Sequence, residues 1–541
     1  MASLSFMPFC TQLDSHNVLL PFFVASSGGI RNQQELRCRF APVFSLFQYA
    51  DFRSWSSSRG FCGYRRGRQP RFFHAVCFKD EVASLNLEKF DIEDYPPVAA
   101  DSETSISCTT FNILAPIYKR VNKQGIRESD FRESWLSRNN KIVELLLLSN
   151  SSVICLQEFW LGNRELEHLY VENLKEANYS TYKLARTNSR GDGLLTAVKN
   201  TKLKVLDYKE LFFNDCGDRV AQFFCLQANL PGPVGEAFGM ELLLVNTHLI
   251  FPHNFNYCLI RLRQVYKILT FIEQYKREHS LASAPVILCG DWNGSKRGRV
   301  YKFICSQGYL SSYDMVHDCT GADSHRWISH KNHRGDICEV DFIWFSNSEA
   351  HEKPLLVSWY EAVFATIKAK LCEMGLRGRN AFHFFQMQGN TDVITVEEFQ
   401  HGLKQLELTE SAEACSAGLS RTEIDELIEV IDTDRNGVID YDEFEAFLGE
   451  DTALVSLREP IAGIHSDGSI GTTKESSQSG QLSGVHGDHM QIRSREFHRG
   501  RRFTVKDASL FPPEVEGGVW PEEYSLSDHA AVTVTFDLQG L

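Results

Sequence analysis

The chain has 541 residues, of which 43% are hydrophobic and 12% aromatic, so it can bury the cores of two or three domains. Its formal net charge of −14 excludes a protein that coats DNA through a generally basic surface, although a local basic groove is still possible. No run approaches the roughly 18 consecutive apolar residues of a membrane helix, so we expect no membrane span.

The first 80 residues differ in composition from the rest of the chain. They are rich in Arg, Ser and aromatic residues and poor in acidic ones, which is typical of a plastid or mitochondrial transit peptide. The alternative is a leader without a targeting function in a cytoplasmic or nuclear protein. Residues 81–104 are acidic and contain prolines, which predicts a linker. Fifteen cysteines without CxxC spacing indicate reduced thiols in an intracellular protein.

From residue 105 onward, short apolar runs alternate with longer amphipathic stretches. Apolar runs bounded by turn residues predict strands, and apolar residues at helical spacing predict helices. The predicted strands are Ile106–Leu114, Val153–Leu156, Thr181–Ala185, Leu194–Lys199, Val220–Asn229, Leu242–Leu249, Pro285–Cys289 and Val340–Phe345, and the predicted helices are Phe131–Leu148, Tyr257–His279 and Arg299–Ser306. This order predicts an α/β fold in which two sheets pack face to face and are flanked by helices.

The strand Pro285–Cys289 is followed directly by Gly290, Asp291, Trp292 and Asn293. The side chains of residues 291 and 293 point in nearly the same direction, because successive side chains of a strand alternate. A carboxylate can orient or deprotonate a water, and a carboxamide can donate to a phosphate oxygen, so the pair suits chemistry at phosphorus. An ordinary turn with a solvated Asp is the alternative.

Other polar residues lie at the ends of predicted strands or within them. They are Asn112, Glu158, His248, Asp341, Asp528 and His529. Each one alone is compatible with a solvated or capping residue. Their shared position beside apolar runs favours one polar cluster at the strand ends. The last two precede the alternating run Ala531–Phe536, which we expect to form a strand that completes the same domain.

An acidic segment occupies residues 351–450 and contains a twelve-residue pattern typical of an EF-hand calcium loop. Flanking helices are predicted at Arg421–Ile431 and Glu443–Leu448. The expected oxygen ligands are the side chains of Asp432, Asp434, Asn436 and Asp440, the carbonyl of Val438, and a bidentate Glu443. The pattern predicts one Ca²⁺ ion in an inserted, all-α EF-hand module.

EF-hands pair through the apolar residue at the eighth position of each loop. The candidate partner is Met387–Glu398, which places Ile394 opposite Ile439. It lacks carboxylates at its first, third and fifth positions, so we expect a structural loop without calcium. Residues 451–501 are rich in Ser, Gly and His and predict a flexible linker. The first domain is therefore expected to comprise residues 105–350 and 502–541.

Six motifs in one order resemble those of the endonuclease/exonuclease/phosphatase superfamily of Mg²⁺-dependent phosphodiesterases. They are FNIL, LQE, NTHL, GDWN, VDFIW and SDH. The resemblance is nearest to the deadenylase-like branch related to CCR4 and nocturnin. With its EF-hand insert, the chain is also similar to plant proteins described as calcium-binding members of that superfamily. The resemblance implies a DNase I-like, two-sheet β-sandwich over residues 105–350 and 502–541.

The resemblance also implies how the metal and the attacking water are held. Glu158 would be the principal ligand of Mg²⁺ or Mn²⁺, with Asn112 and Asp528 nearby. Such an ion takes only one or two carboxylates and keeps room for water and for a substrate phosphate. Asp291 would orient or activate the attacking water.

Further roles concern the phosphate itself. Asn293 and His248 would donate to the phosphate as charge builds on its oxygens. Asp341 would hold His529, fixing its tautomer and raising its pKa, so that the imidazole stabilises the phosphorane or takes part in proton transfer.

The substrate is less well defined by the sequence. Lys331 and Arg334, just before the Asp341 strand, would contact a nucleic-acid backbone, with a solvated charged loop as the alternative. The leading hypothesis is a Mg²⁺-dependent phosphodiesterase that acts on RNA as a 3′ exonuclease or deadenylase. The alternatives are a lipid or inositol phosphate phosphodiesterase, and a calcium-responsive interaction protein with an inactive nuclease-like domain. The EF-hand module lies between Asp341 and His529, so calcium would either be sensed at the active site or occupy an inert surface insertion.

Overall fold

The computed structural model describes residues 104–122, 124–231, 237–252, 257–317, 327–347, 353–387, 392–409, 418–449 and 502–539. The expectations for the leader and for the linkers at 81–103 and 451–501 fall outside these ranges.

Sixteen strands lie within the described ranges. In chain order they are β1 Ser105–Asn112, β2 Val153–Trp160, β3 Tyr179–Ala185, β4 Asp192–Lys199, β5 Leu203–Phe212, β6 Val220–Pro231, β7 Ala237–His248, β8 Val286–Asp291, β9 Leu310–Ser311, β10 His330–Lys331, β11 Ile337–Cys338, β12 Asp341–Ser346, β13 Val393–Thr395, β14 Val438–Asp440, β15 Arg502–Phe511 and β16 Ala531–Gln539.

Ten α-helices accompany the strands in the described ranges. They are α1 Arg132–Ser149, α2 Arg164–Glu176, α3 Tyr257–Glu278, α4 Arg299–Ser306, α5 Ser312–His317, α6 Leu355–Glu373, α7 Gly378–Phe385, α8 Val396–Gln405, α9 Arg421–Ile431 and α10 Tyr441–Leu448.

The strands form two six-stranded sheets that pack face to face. The first sheet has the order β15-β16-β1-β2-β4-β3, and the second has the order β5-β6-β7-β8-β12-β9. The sheets meet where β1 and β2 contact β7, β8 and β12. Because side chains of a strand alternate between faces, inward residues such as Cys155 and Cys289 are fully buried between the sheets. The predicted two-sheet sandwich is confirmed.

Helices cover the outer faces of the sandwich. Helices α1 and α2 cover the first sheet, where Trp135 and Tyr170 belong to a second buried cluster with Phe111 and Phe159. Helices α3 and α4 belong to the main core, which also contains the second sheet. None of the helices in the described part of the chain is long and apolar enough to cross a membrane.

The chain returns to the first sheet after the acidic segment. Strand β16 pairs antiparallel with β1 through Ile106 and Phe536, and β15 pairs with β16. Strands β15 and β16, which follow the acidic segment, therefore complete the sheet that contains β1. This places the residues just before β16 beside those that follow β1.

The EF-hand helices share the main core instead of standing apart from it. Helix α6 packs on α3 and α4 on one side and on α10 on the other. Phe382 and Phe444 of the EF-hand region belong to the same buried cluster as Leu243 of the second sheet. The Tyr266 ring of α3 lies 5.0 Å from the Trp359 ring of α6. An insertion tolerated loosely in a surface loop would not have this continuous core.

Candidate active site and calcium loop

Polar side chains of four strands meet at one edge of the sandwich. Asn112 ends β1, His248 ends β7 and Asp291 ends β8, while Asp341 begins β12. The register pairs Asp291 with His248 in the parallel β7–β8 ladder and with Asp341 in the antiparallel β8–β12 ladder. This register brings together residues that are up to 93 positions apart in the chain, as the distance from 248 to 341 shows.

Gly290 is required by this register. Its φ is +145°, and a Cβ atom built on it would lie 1.9 Å from the carbonyl oxygen of Thr247 on β7. Any side chain there would push β7 and β8 apart. The glycine before Asp291 therefore permits the close approach that places Asp291 beside His248.

The Asn112 amide nitrogen connects three functional side chains. It lies 3.0 Å from Asp291 Oδ2, 3.4 Å from Glu158 Oε1 and 3.3 Å from His529 Nε2. The Asn112 amide oxygen accepts from the backbone N–H of Leu114 at 3.1 Å. In this orientation Asn112 holds the two carboxylates together, and direct coordination of a metal through its oxygen requires the amide to turn.

Glu158 is directed into the site by a backbone irregularity. Its φ is +55°, and the β2–β4 ladder shifts register between Gln157 and Phe159. A bulge re-aims a side chain that a regular strand would direct elsewhere, and bulges are frequent beside active sites. Loss of bulk water, followed by the carboxylates of Asp528 and Asp192, raises the pKa of Glu158 to about 7.

Asp341, His529, Asp291 and His248 form a chain of acidic and basic groups. Asp341 Oδ2 lies 2.8 Å from His529 Nδ1, His529 Nε2 lies 3.8 Å from Asp291 Oδ2, and Asp291 Oδ2 lies 3.2 Å from His248 Nε2. All four side chains are buried. The arrangement alternates negative and positive or neutral groups, so each carboxylate has an imidazole neighbour.

The two imidazoles of this chain have opposite pKa shifts. Burial alone would lower the pKa of His529, but the carboxylates of Asp341, Asp291 and Asp528 raise it to about 10. Burial and the positive charge of Arg219 lower the pKa of His248 to about 4, against the opposing effect of Asp291. At neutral pH, His529 is therefore an imidazolium and His248 a neutral imidazole.

The carboxylate of Asp291 is oriented from both sides. The backbone N–H of Asn293 donates to Asp291 Oδ1 at 2.9 Å, and Asn293 has a φ of +48°. The Asn293 side-chain amide donates to the carbonyl of Leu249 at 2.9 Å. Burial would raise the pKa of Asp291, but His248, His529 and Asn112 lower it well below its usual range. Asp291 is therefore a carboxylate at any physiological pH.

The calcium loop lies in the EF-hand region. Carboxylate oxygens of Asp432, Asp434 and Glu443 lie within 4.8 Å of one another. Asp432 accepts from the backbone N–H groups of Asn436 and Gly437 at 3.0 and 2.9 Å. Gly437 has a φ of +85°, which supplies the sharp turn of the loop.

Strand β14 of this loop pairs with β13 of the neighbouring one. Ile439 is opposite Ile394, as predicted. Glu398 ends the neighbouring loop, and it accepts from the backbone N–H groups of Met387 and Thr395 at 3.0 and 2.9 Å. Residues 388–391 of that loop lie outside the described ranges. Within the described ranges, an acidic cluster with metal-ligand spacing occurs in the Asp432 loop and in no other part of the EF-hand region.

Comparison with known proteins gives matches for both parts of the chain. The family model described as Endonuclease/Exonuclease/phosphatase family matches residues 109–366, and the EF-hand domain pair matches residues 388–449. An uncharacterized calcium-binding protein of Arabidopsis thaliana is 46% identical over 507 residues, which cover 93% of this chain and 96% of that protein. The chain belongs to the endonuclease/exonuclease/phosphatase family. The resemblance predicted from six short motifs is confirmed.

Other members of the family are more distant. The CCR4-Not complex 3′-5′-exoribonuclease subunit Ccr4 of Saccharomyces cerevisiae is 24% identical over 275 residues, which cover 41% of this chain and 32% of that protein. The human Nocturnin catalytic domain, solved with a bound sulfate anion, is 20% identical and is matched over 45% of this chain and 82% of that chain, with a TM-score of 0.35.

A divalent cation, usual in this family, fits the residues at the strand ends. Burial, and after it the carboxylates of Asp528 and Asp192, raise the pKa of Glu158, and a cation would favour its charged form. Asp528 Oδ1 is buried without a hydrogen-bond partner in the described part of the chain. Carboxylate oxygens are the ligands that Mg²⁺ prefers.

The predicted substrate-binding residues lie on a hairpin beside the site. Lys331 is in β10, where its backbone N–H donates to the carbonyl of Asp528 at 2.9 Å. Arg334 lies in the exposed turn between β10 and β11. A third basic residue of the region, Lys296, forms an ion pair with Asp314 at 2.5 Å. Lys331 is therefore held next to Asp528, whereas the Lys296 ammonium is paired with Asp314.

Sequence reasoning missed three residues at the site. The ring of His330 lies 4.1 Å from that of His529, and its Nδ1 lies 3.0 Å from the Asp528 carbonyl. Asp192 is fully buried and accepts from Tyr118 Oη at 2.7 Å. Arg219 is buried next to β6. The sequence signals for Asp192 and Arg219 are polar residues at the first position of a strand or just before it.

Proposed function

We propose that the protein is a Mg²⁺-dependent phosphodiesterase that cleaves RNA as a 3′ exonuclease or deadenylase. The observation that carries this proposal is the buried series beside Glu158 in which Asp341 is hydrogen-bonded to His529 and His529 lies 3.8 Å from Asp291. A purely structural cluster would not need a carboxylate, an imidazolium and a second carboxylate buried in line.

In the proposed mechanism Glu158 and Asp528 would hold the metal, which would supply charge neutralisation of the substrate phosphate and polarisation of its oxygens. Asp291 orients the attacking water. Its strongly lowered pKa makes it a poor proton acceptor, so orientation is its main contribution. Asn293 keeps Asp291 in place through its backbone N–H.

The imidazolium of His529 faces the charge that develops on phosphorus. With a pKa raised to about 10 it stays protonated through the neutral range and donates a charged hydrogen bond to a phosphoryl oxygen. Asp341 holds Nδ1 and therefore leaves Nε2 for the substrate. Neutral His248 makes an uncharged contact to the carboxylate of Asp291 through its Nε2.

RNA is favoured as substrate over a lipid or inositol phosphate by two observations. The Lys331–Arg334 hairpin lies beside Asp528, where it can follow a polynucleotide backbone. A family member with detectable identity is named a 3′-5′-exoribonuclease subunit. The calcium ion is proposed to bind once, at the Asp432 loop, because the acidic cluster there has the ligand spacing of a calcium site.

The test is a substrate panel with a matched variant. Poly(A) RNA, abasic-site DNA and sphingomyelin are incubated with Mg²⁺ and either wild-type protein or Asp291→Ala. We expect wild type alone to shorten the RNA. Equal behaviour of the two proteins on every RNA would contradict the RNA proposal, and cleavage of sphingomyelin alone would replace it by the lipid alternative.

A further inference from the structure

Arg219 is a buried arginine whose side chain is not satisfied by the protein. It is 6% exposed, and its Nε and Nη1 atoms have no hydrogen-bond partner within the described residues. Its backbone carbonyl accepts from Phe213, but that leaves Nε and Nη1 of the guanidinium without a partner among the described residues. A guanidinium offers five donors and no acceptor, so burial without partners is costly.

Arg138, which is buried even more completely, is the appropriate comparison. Its Nε donates to both carboxylate oxygens of Glu128 at 2.9 and 3.0 Å. Its Nη1 donates to the carbonyls of Ile113 and Leu526 at 2.8 and 2.7 Å. Arg138 has a structural role and is fully bonded. Arg219 lacks every bond of this kind, so it needs another explanation.

The position of Arg219 supplies that explanation. It precedes β6, whose residue Ala221 pairs with Thr247, the neighbour of His248. Its positive charge is attracted by Asp192, Glu158 and Asp291 and lowers the pKa of His248. Arg219 is therefore within electrostatic range of the predicted metal ligand and of the water-orienting carboxylate, yet it is bonded to neither.

We propose that Arg219 binds a phosphate oxygen of the substrate on the His248 side of the active site. The inference rests on the proposed phosphodiesterase function. A metal held by Glu158 would offset the negative charges that now attract Arg219, and its free donors would then be available to an anion. The missing partner of this guanidinium is thus a phosphodiester or phosphate monoester.

The test compares Arg219→Met with Arg219→Lys and with the control Arg190→Met. Arg190 is an exposed arginine that forms an ion pair with Asp218, the residue before Arg219. All are made in full-length protein carrying Asp291→Asn to remove turnover. The dissociation constants of a labelled adenylate 10-mer and of inorganic phosphate are measured with Mg²⁺ present, the former at several salt concentrations.

We expect Arg219→Met to weaken both ligands by about tenfold or more and to reduce the slope of log affinity against log salt by about 0.7. Arg219→Lys should retain part of the affinity, and Arg190→Met should match the parent. An unchanged slope and unchanged phosphate affinity in Arg219→Met would overturn the assignment. Phosphate binding that depends on Arg219 without any RNA binding would keep the assignment and reject the RNA substrate.

A second inference rests on separate contacts, between α3 and the EF-hand region. Arg263 of α3 donates to the Glu423 carboxylate at 3.0 and 2.7 Å and to the carbonyl of Gly418 at 2.9 Å. Glu423 lies in the first turn of α9, the helix that enters the calcium loop, and also accepts from the N–H of Ser420. The arginine is 6% exposed, so this is a largely desolvated ion pair.

The next residue of α3 holds the active-site loops. Gln264 Oε1 accepts from the N–H of Ile250 at 3.1 Å, and its Nε2 donates to the carbonyl of Cys216 at 2.9 Å. Ile250 follows His248 by two positions and Cys216 precedes Arg219 by three. Two adjacent side chains of one helix thus hold the calcium-binding helix and both segments next to the site.

The other EF-hand helix is also held. Helix α10 packs on α6, which packs on α3. Tyr360 of α6 donates to Glu426 of α9 at 3.2 Å. In sensor EF-hands, calcium changes the angle between the entering and leaving helices. Here that change must break the Arg263–Glu423 pair or move α3.

We infer that calcium binding at the Asp432 loop is coupled to substrate binding through Arg263 and Gln264. The inference depends on the proposed function only for the identity of the substrate. Coupling is reciprocal, so an active-site ligand must change calcium affinity by the factor by which calcium changes the affinity of that ligand. Calcium affinity is therefore a readout independent of turnover.

Calorimetric calcium titrations of the full chain, with and without the adenylate 10-mer or inorganic phosphate, test this. Arg263→Met is compared with Lys267→Met, which removes an exposed ion pair to Asp215 one turn further along α3. We expect the active-site ligand to change calcium affinity about fivefold or more in wild type and in Lys267→Met, and less than twofold in Arg263→Met with calcium still bound.

Equal calcium affinity with and without both ligands in wild type, or undiminished coupling in Arg263→Met, would overturn the inference. Coupling to phosphate without RNA binding would support it and reject the RNA substrate.

Discussion

The molecule contains two acidic regions, a calcium-type loop and a candidate active site, that are built on different principles. The calcium loop takes all its ligands from twelve consecutive residues, 432–443, and depends on one turn at Gly437. The candidate active site takes Asn112, Glu158, Asp291 and His529 from strands or strand ends of both sheets. A contiguous site is defined by its own backbone, whereas a distributed site exists only when the register of the sandwich is correct.

The two regions also differ in how their charges are arranged. At the calcium loop, carboxylates accept from backbone N–H groups, as Glu443 does from Thr433 at 2.7 Å. At the active site, carboxylates face imidazoles, and burial shifts the pKa values of both partners. The first arrangement suits reversible binding of an ion. The second suits a reaction, because it fixes protonation states in advance.

Asp291→Ala tests whether the two regions separate in function. We expect turnover to fall about a thousandfold, because the attacking water and His248 lose the carboxylate between them. Calcium affinity and the melting temperature in calcium should be close to those of wild type. Steady-state kinetics and calorimetry on the same preparations give both numbers. A large loss of calcium affinity would show that the fold was damaged and would invalidate the comparison.

Glu443→Gln is the corresponding change in the calcium region. Loss of the bidentate ligand should lower calcium affinity about a hundredfold and remove the stabilisation of about 2.7 kcal/mol expected when calcium is present at a hundred times its dissociation constant. Thermal melting with and without calcium measures this. The matched control is Glu398→Gln at the same position of the neighbouring loop, for which we expect no change in calcium affinity. An equal loss in both variants would mean that two ions bind.

Asp341→Asn removes the negative charge beside His529 but keeps a side chain of similar shape to hold the imidazole. Without this carboxylate the pKa of His529 should fall from about 10 towards or below its ordinary value of 6.5. The alkaline limb of the pH–rate profile should therefore move down by about two units or more, with kcat lower by about ten- to a hundredfold. In wild type the raised pKa means that this ion pair stabilises the fold fully below pH 6.5 and is lost as pH rises through about 10. An unmoved alkaline limb in the variant would contradict this role of Asp341.

The smallest expected effect is a pH dependence of metal binding at Glu158. Because its pKa is raised to about 7, a proton competes with the metal below that pH. The metal concentration for half-maximal activity should fall by about tenfold per unit as pH rises from 5.5 to 7 and then level off. In the metal-free protein, the raised pKa of Glu158 means that the fold loses stability as pH rises from 4.5 to about 7. An ordinary paired carboxylate, whose pKa is lowered, has the opposite effect on stability. A metal requirement independent of pH would exclude Glu158 as principal ligand.

Much of the fold could be predicted from the sequence because its central strands are apolar and short. Strands β1, β7, β8 and β12 begin or end within a few residues of their predicted bounds. Strand β5, Leu203–Phe212, was missed because it is an edge strand whose charged residues hide the alternation. Strand β15 was missed because it follows a long segment without periodicity, and its pairing with β16 is purely long-range.

The residues that form the site could be predicted from the sequence better than their geometry could. Glu158 was expected at a strand end, whereas β2 continues to Trp160 and the residue lies in a bulge, which periodicity cannot reveal. The stacking of His330 on His529 depends on a hairpin touching a segment almost 200 residues away. Arg219 was missed because an unsatisfied buried charge can be recognised only after its neighbours are known.

Single-turnover cleavage of a 5′-labelled oligoadenylate tests the proposal most directly. Wild-type protein, Asp291→Ala and Glu158→Gln are each mixed with the RNA in Mg²⁺, and again after the metal has been chelated. We expect wild type in Mg²⁺ to shorten the RNA from its 3′ end, and both variants and the chelated samples to leave it almost intact. An RNA that stays whole with wild type in Mg²⁺, or is shortened equally by Asp291→Ala, would contradict a metal-dependent ribonuclease.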